Sequence, residues 1–115
     1  MDELAKTFFR ESIYLLRHYI AGILLKKDLR DPQTKKPLSG YWNPRKLIIF
    51  IDKNLSEEEK LQTLIHELEH VIFGNNPETQ ILKTEIELWY LLTKNQKNRL
   101  RKYIPKYRRI RKLER

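Results

Sequence analysis

Ser56-Glu-Glu-Glu-Lys-Leu-Gln-Thr-Leu-Ile-His66-Glu67-Leu68-Glu69-His70-Val-Ile-Phe-Gly74 is the stretch on which the reading of the chain turns. Ser56 followed three residues later by Glu59 is a capping box, and acids in a first turn suit the positive end of a helix dipole. Leu61, Leu64, Ile65, Leu68, Val71 and Ile72 recur at helical spacing, and Gly74 offers a stop at the position after the cap. On such a helix His66 and His70 lie one turn apart on one face, so both imidazoles can reach one metal ion. Imidazole nitrogens suit zinc at about 2.0–2.1 Å. Glu67 then stands where a general base can take a proton from water.

Composition bounds the rest. The chain of 115 residues has no cysteine, so disulfides and thiolate ligands are excluded and zinc must be held by His, Asp or Glu. The length suits one small domain. No apolar run is long enough to span a membrane and no signal-peptide pattern opens the chain, so the expectation is a cytoplasmic protein with no membrane attachment. The net charge of +9 is uneven: residues 94–115 carry eleven Lys and Arg against Glu114 alone. The body is therefore near neutral. The domain reading is a compact unit over 1–93 and a basic segment over 94–115.

Upstream, residues 2 to about 27 read as one amphipathic helix backing the core, with Leu4, Phe8, Ile13, Leu15, Leu16, Tyr19, Ile20, Ile23 and Leu24 forming a wide stripe in which spacings of three and four recur. His18 in it has no second ligand nearby and reads as structural rather than catalytic. Residues 28–39 form a polar connection with turn signals at Asp31-Pro32 and Lys36-Pro37. Residues 40–52 read as a β-hairpin turning at Asn43-Pro44-Arg45-Lys46, and Leu47–Ile51 as a strand covered on both faces. A third strand is sought in 29–39.

Downstream, Pro77 suits the first position of a second helix reaching at least Leu92, with Tyr103 as its far limit before Pro105. Catalytic zinc needs a third protein ligand, and Glu78, Glu85 and Glu87 are the acids available. On a wheel of 100° per residue with Ile81 at zero, Glu85 falls near roughly 40°, Glu78 near roughly 60° and Glu87 near roughly 240°. Glu85 points out of the middle of the apolar stripe, where a carboxylate is costly unless paired or metal-bound. It leads the three. Glu78 shares its side but sits in the first turn, where an acid is expected for dipole reasons alone. Glu87 belongs to the polar face. The metal set expected is His66, His70 and Glu85 on Zn2+, with Glu67 catalytic.

The strand, the capped H-E-x-x-H helix and a following helix bearing Glu85 resemble the gluzincin tribe of zinc metallopeptidases. The shortness is similar to the minigluzincins. The resemblance implies an α+β zincin domain with a backing helix, short sheet, active-site helix, glutamate helix and basic C-terminal helix or tail. It implies an endopeptidase acting on peptides or proteins. It also implies that part of Leu47–Ile51 pairs with extended substrate, and that the protein is a latent zymogen blocked by its C-terminal segment, within one chain or in a homodimer made by helix exchange. The same stretch resembles the ImmA/IrrE-like repressor-cleaving metallopeptidases. Two further readings of the tail stand beside latency. One is a solvated basic helix. The other is a nucleic-acid-binding surface, in which the metal site is structural.

Overall fold

A computed structural model describes residues 3–105. The order is α1 (Glu3–His18), β1 (Gly22–Lys26), β2 (Gly40–Asn43), β3 (Ile48–Asp52), α2 (Glu57–Ile72), α3 (Glu78–Leu91) and α4 (Lys94–Arg101). This is the expected α+β architecture. The sheet runs β1-β3-β2, with β3 parallel to β1 and antiparallel to β2.

The N-terminal helix is shorter than its periodicity suggests. It stops at His18, and Gly22–Lys26 becomes the third strand. Ile20, Ile23 and Leu24 continue the helical spacing by coincidence. Gly22, a poor helix former, and the Ile-Leu-Leu run after it carry the competing strand signal, and pairing with β3 decides the matter. Residues 29–39 supply only one isolated bridge, Arg30 to Pro37.

The 40–52 hairpin forms as expected. The Asn43 side-chain oxygen accepts the Arg45 and Lys46 amides at 3.0 and 3.1 Å, which sets the turn. Leu47 closes it at φ 59° and stands outside the strand. β3 is covered on one face rather than two. Ile49 and Ile51 are buried, while Ile48 and Phe50 are half-buried, the alternation of a sheet with helices on one side only. On the other face Tyr41 stacks on Phe50 at 6.4 Å.

Helix α2 lies across the buried face of the sheet, against β2 and β3. Its capping box forms as read: Ser56 accepts the Glu59 amide at 3.1 Å and Glu59 accepts the Ser56 amide at 2.9 Å. Leu61, Leu64, Ile65 and Leu68 are fully buried with Phe8, Ile49, Ile51 and Leu88. Phe73 caps α2, Gly74 follows without a positive φ, and Pro77 caps α3 instead of opening it. The short connection turns α3 back along α2.

The second helix breaks at Leu92 instead of continuing. Leu92 is extended, and Thr93 with Gln96 makes a second capping box that starts α4. Leu100 and Ile104 are buried in the common core, so the packed unit continues past residue 93.

Candidate metal centre

Helix α2 places His66 and His70 on one face, and their Nε2 atoms stand 3.1 Å apart. Glu78, the first residue of α3, reaches both. Its Oε2 is 3.4 Å from His66 Nε2 and its Oε1 is 3.2 Å from His70 Nε2. These three side chains form a metal-competent cluster. Ligand atoms on a tetrahedral zinc at bond lengths of 2.0–2.2 Å stand about 3.3–3.5 Å from each other. The two imidazole nitrogens stand close to that spacing and the Glu78 carboxylate presents one oxygen to each of them, so the donor set is of the right kind and close enough together to hold the ion.

Glu85 takes a different place from the one expected. Its Oε1 lies 2.6 Å from His66 Nδ1, the ring nitrogen opposite the cluster. A carboxylate can only accept, so Nδ1 carries the proton, and in the neutral ring the Nε2 lone pair faces His70 and Glu78. A carboxylate so placed is able to orient a histidine toward a metal. The wheel put Glu78 and Glu85 on the same side correctly, but a wheel carries no axial coordinate. Seven residues separate them by about 10 Å along the helix. Only the first turn of α3, just past the short connection, lies beside the last turns of α2. Glu87 is exposed on the outer face. His18 is exposed at the end of α1, with its ring against Tyr14.

Glu67 is buried beside β2. Loss of hydration pushes its carboxyl up to about 7, with His66 opposing and the Glu78 and Glu85 charges reinforcing the rise. The nearby backbone amide of Trp42 on β2 offsets a small part of that rise. Hydrogen bonding to Glu85 raises the His66 pKa, against its partial burial. Glu69, between Leu68 and His70, is fully buried, and neither carboxyl oxygen has a hydrogen-bond partner among the described residues. Burial pushes it up to about 8, so the acid is held neutral at ordinary pH.

Two cavities meet at His66 and Glu67. One, of about 390 Å³, opens toward the start of α2 among Leu38, Leu55, Thr63 and Leu82. The other, of about 460 Å³, opens toward His70 among Asp31, Tyr41, Trp42 and Pro44. Together they make a cleft along β2. The strand expected to meet substrate, Leu47–Ile51, cannot do so: β3 has a neighbour on each side. Among the described residues, the sheet edge beside the site is β2.

Sequence reading missed Gly40. A Cβ there would collide with Thr63 Cγ2 and come within 3.2 Å of Glu67 Oε2. Only a residue without a side chain lets β2 lie this close to α2. A glycine opening a strand just before a helix with a buried acid was the available signal.

No described helix is long and apolar enough to cross a membrane. Comparison with curated proteins and with solved structures gave no match. The family model of the IrrE N-terminal-like domain, Peptidase M78, matches residues 10–107. That span takes in the second half of the backing helix, the sheet, the H-E-x-x-H helix, Glu78 and Glu85 together, and the chain belongs to this family of metallopeptidase-type domains.

Proposed function

We propose that this chain is a zinc-dependent metalloendopeptidase in which His66, His70 and Glu78 hold the ion and Glu67 is the general base. The observation that supports this most is the convergence of two imidazole nitrogens and the Glu78 carboxylate, 3.1–3.4 Å apart, beside a buried carboxyl. Zinc bound there supplies Lewis acidity toward a substrate carbonyl and lowers the pKa of water toward about 7. Glu67 accepts the proton of the attacking water and returns it to the leaving amine. Its apolar surroundings raise its proton affinity, which suits a carboxylate that must take a proton from water. Glu85 holds His66 in the metal-binding tautomer. The β2 edge lines up an extended peptide by main-chain pairing.

Membership of the IrrE-like family favours the reading in which the substrate is a folded regulatory protein, such as a repressor, over general peptide digestion. The latency reading rests on the C-terminal segment. Three of its apolar residues, Leu100, Tyr103 and Ile104, pack on the domain core rather than reaching into the cleft. The others, Tyr107, Ile110 and Leu113, lie outside the described residues, as does most of the surface on which nucleic-acid binding or helix exchange would depend. The test is metal analysis with a peptide-cleavage assay on full-length and tail-truncated protein, each with and without Glu67→Ala. Stoichiometric zinc is expected in all four. Cleavage is expected only where Glu67 is present, and latency predicts a gain on truncation. Zinc without cleavage in any form refutes the peptidase reading and leaves a structural metal site.

A further inference from the structure

The chain carries 24 Lys and Arg against 15 Asp and Glu, yet no lysine or arginine among the described residues lines either half of the cleft. The two halves differ. Toward the start of α2 the walls are Leu38, Leu55 and Leu82. Toward His70 the outer wall is Tyr41, Trp42 and Pro44, and the one carboxylate apart from Glu67 is Asp31.

Asp31 is fixed and ionised. Its Oδ1 accepts the Gln33 and Thr34 amides at 2.8 and 2.9 Å, and those bonds, Thr34 foremost, hold its carboxyl below the usual range. The loop around it is braced. The Asp31 amide donates to the Lys36 carbonyl and the Lys35 amide to the Asp31 carbonyl, both at 2.9 Å. The neighbouring cation is turned elsewhere: Arg30 pairs with Asp28 at 3.2 Å and donates to the Lys35 carbonyl at 3.0 Å. Asp31 makes no ion pair with a described residue, and among the described residues the bonds to its carboxylate come from Gln33 and Thr34 alone, the Thr34 hydroxyl included.

We propose that the half of the cleft beyond His70 is a subsite for a cationic side chain, with Asp31 receiving the ammonium or guanidinium of a substrate Lys or Arg and the surface of Tyr41, Trp42 and Pro44 lining its aliphatic stem. A carboxylate beside aromatic and proline surface is complementary to such a side chain, which has a long apolar stem and a charged head. The leucine-walled half carries Glu59, whose Oε1 accepts the Ser56 amide, and Glu85, which is engaged with His66, but among the described residues no Tyr, Trp, Phe or Pro lines that half to cover the stem of a cationic side chain. The selection is therefore one-sided.

This subsite rests on the peptidase reading for its role, and its test separates the two. Peptides differing at one position at a time carry Arg, norleucine or Glu on either side of a fixed bond. Their binding to zinc-loaded full-length Glu67→Gln protein is measured by fluorescence polarisation, which needs no turnover. Arg on one side only is expected to bind about tenfold tighter than norleucine, and Glu weaker than both. Asp31→Asn keeps an oxygen for the Gln33 and Thr34 amides while removing the charge, and is expected to bring the Arg-to-norleucine ratio within about twofold of one. Asp31→Lys inverts the order. Equal binding of the three peptides, or an Arg preference that survives Asp31→Asn, overturns the proposal. If the wild type cleaves nothing while the one-sided Arg preference persists, the subsite stands and the peptidase reading falls.

Discussion

Exchanging Glu78 and Glu85 separately for Gln is the sharpest way to ask which carboxylate holds the metal. Glu78 has an oxygen within 3.4 Å of each imidazole Nε2, whereas Glu85 meets only His66 Nδ1, at 2.6 Å. Zinc-site free energies of about 10–16 kcal/mol over four ligands imply about 3 kcal/mol per ligand, or more than ~100-fold in Kd. Loss of an orienting carboxylate costs about 10–100-fold. Glu78→Gln should therefore weaken zinc more than Glu85→Gln, by about tenfold or more, in competition with a chromophoric chelator. The amide of Glu85→Gln still offers an oxygen to the Nδ1 proton, so Glu85→Ala should fall below Glu85→Gln.

Affinity alone can blur at the boundary of those ranges, so cobalt substitution supplies the second readout. The visible bands of Co2+ follow the donors bound to the ion. Glu78→Gln should shift them and Glu85→Gln should leave them in place. If instead Glu85→Gln both strips the metal and changes the cobalt spectrum while Glu78→Gln does neither, Glu85 is the ligand. Glu78 is then only the first-turn acid that its place in the sequence suggests.

Further outcomes follow from the same contacts. Gly40→Ala should destabilise by about 1–3 kcal/mol in urea denaturation and lower kcat, because the new methyl meets Thr63 Cγ2 and crowds Glu67; adding Thr63→Ser removes that methyl and should restore most of both. Glu69→Gln should raise stability at pH 9 more than at pH 5. The folded state holds the Glu69 proton up to about pH 8, well above the unfolded value, so its contribution is full at low pH and is lost as pH rises through that interval. The limiting difference is on the order of 3–5 kcal/mol, and equal effects at both pH values in thermal melts would show that Glu69 is charged in the fold. Thr93→Ala should cost about 1 kcal/mol by removing the cap that starts α4, and a change below about 0.3 kcal/mol would mean that packing of Leu100 alone holds that helix.

How much of this was legible in the sequence depends on whether the signal was local. The α2 capping box, the Asn43 turn and the His66/His70 face are set by residues within one turn of each other, and all form as read. The errors lie where a decision needed a partner far along the chain. Residues 22–26 satisfy helical spacing, and only pairing with β3 makes them a strand. The break at Leu92 had a local signal in Thr93 and Gln96, but the apolar run through it masked the cap.

Glu78 and Glu85 show the same limit within the site itself. Amphipathic reasoning ranks residues by angle, and by angle both are inward. Choosing between them requires the height of α3 against α2, which the short connection from Phe73 to Pro77 fixes. A connection this short forces the first turn of the returning helix to lie against the last turns of the one before it. The acid at the very start of α3 is thus delivered to His70, and an acid two turns on is delivered past it, to the far side of His66. The dipole argument that explained Glu78 away was sound for an isolated helix. In the folded chain that helix N-terminus abuts the two histidines, so the same carboxylate that suits the α3 dipole also stands where it could join their donor set.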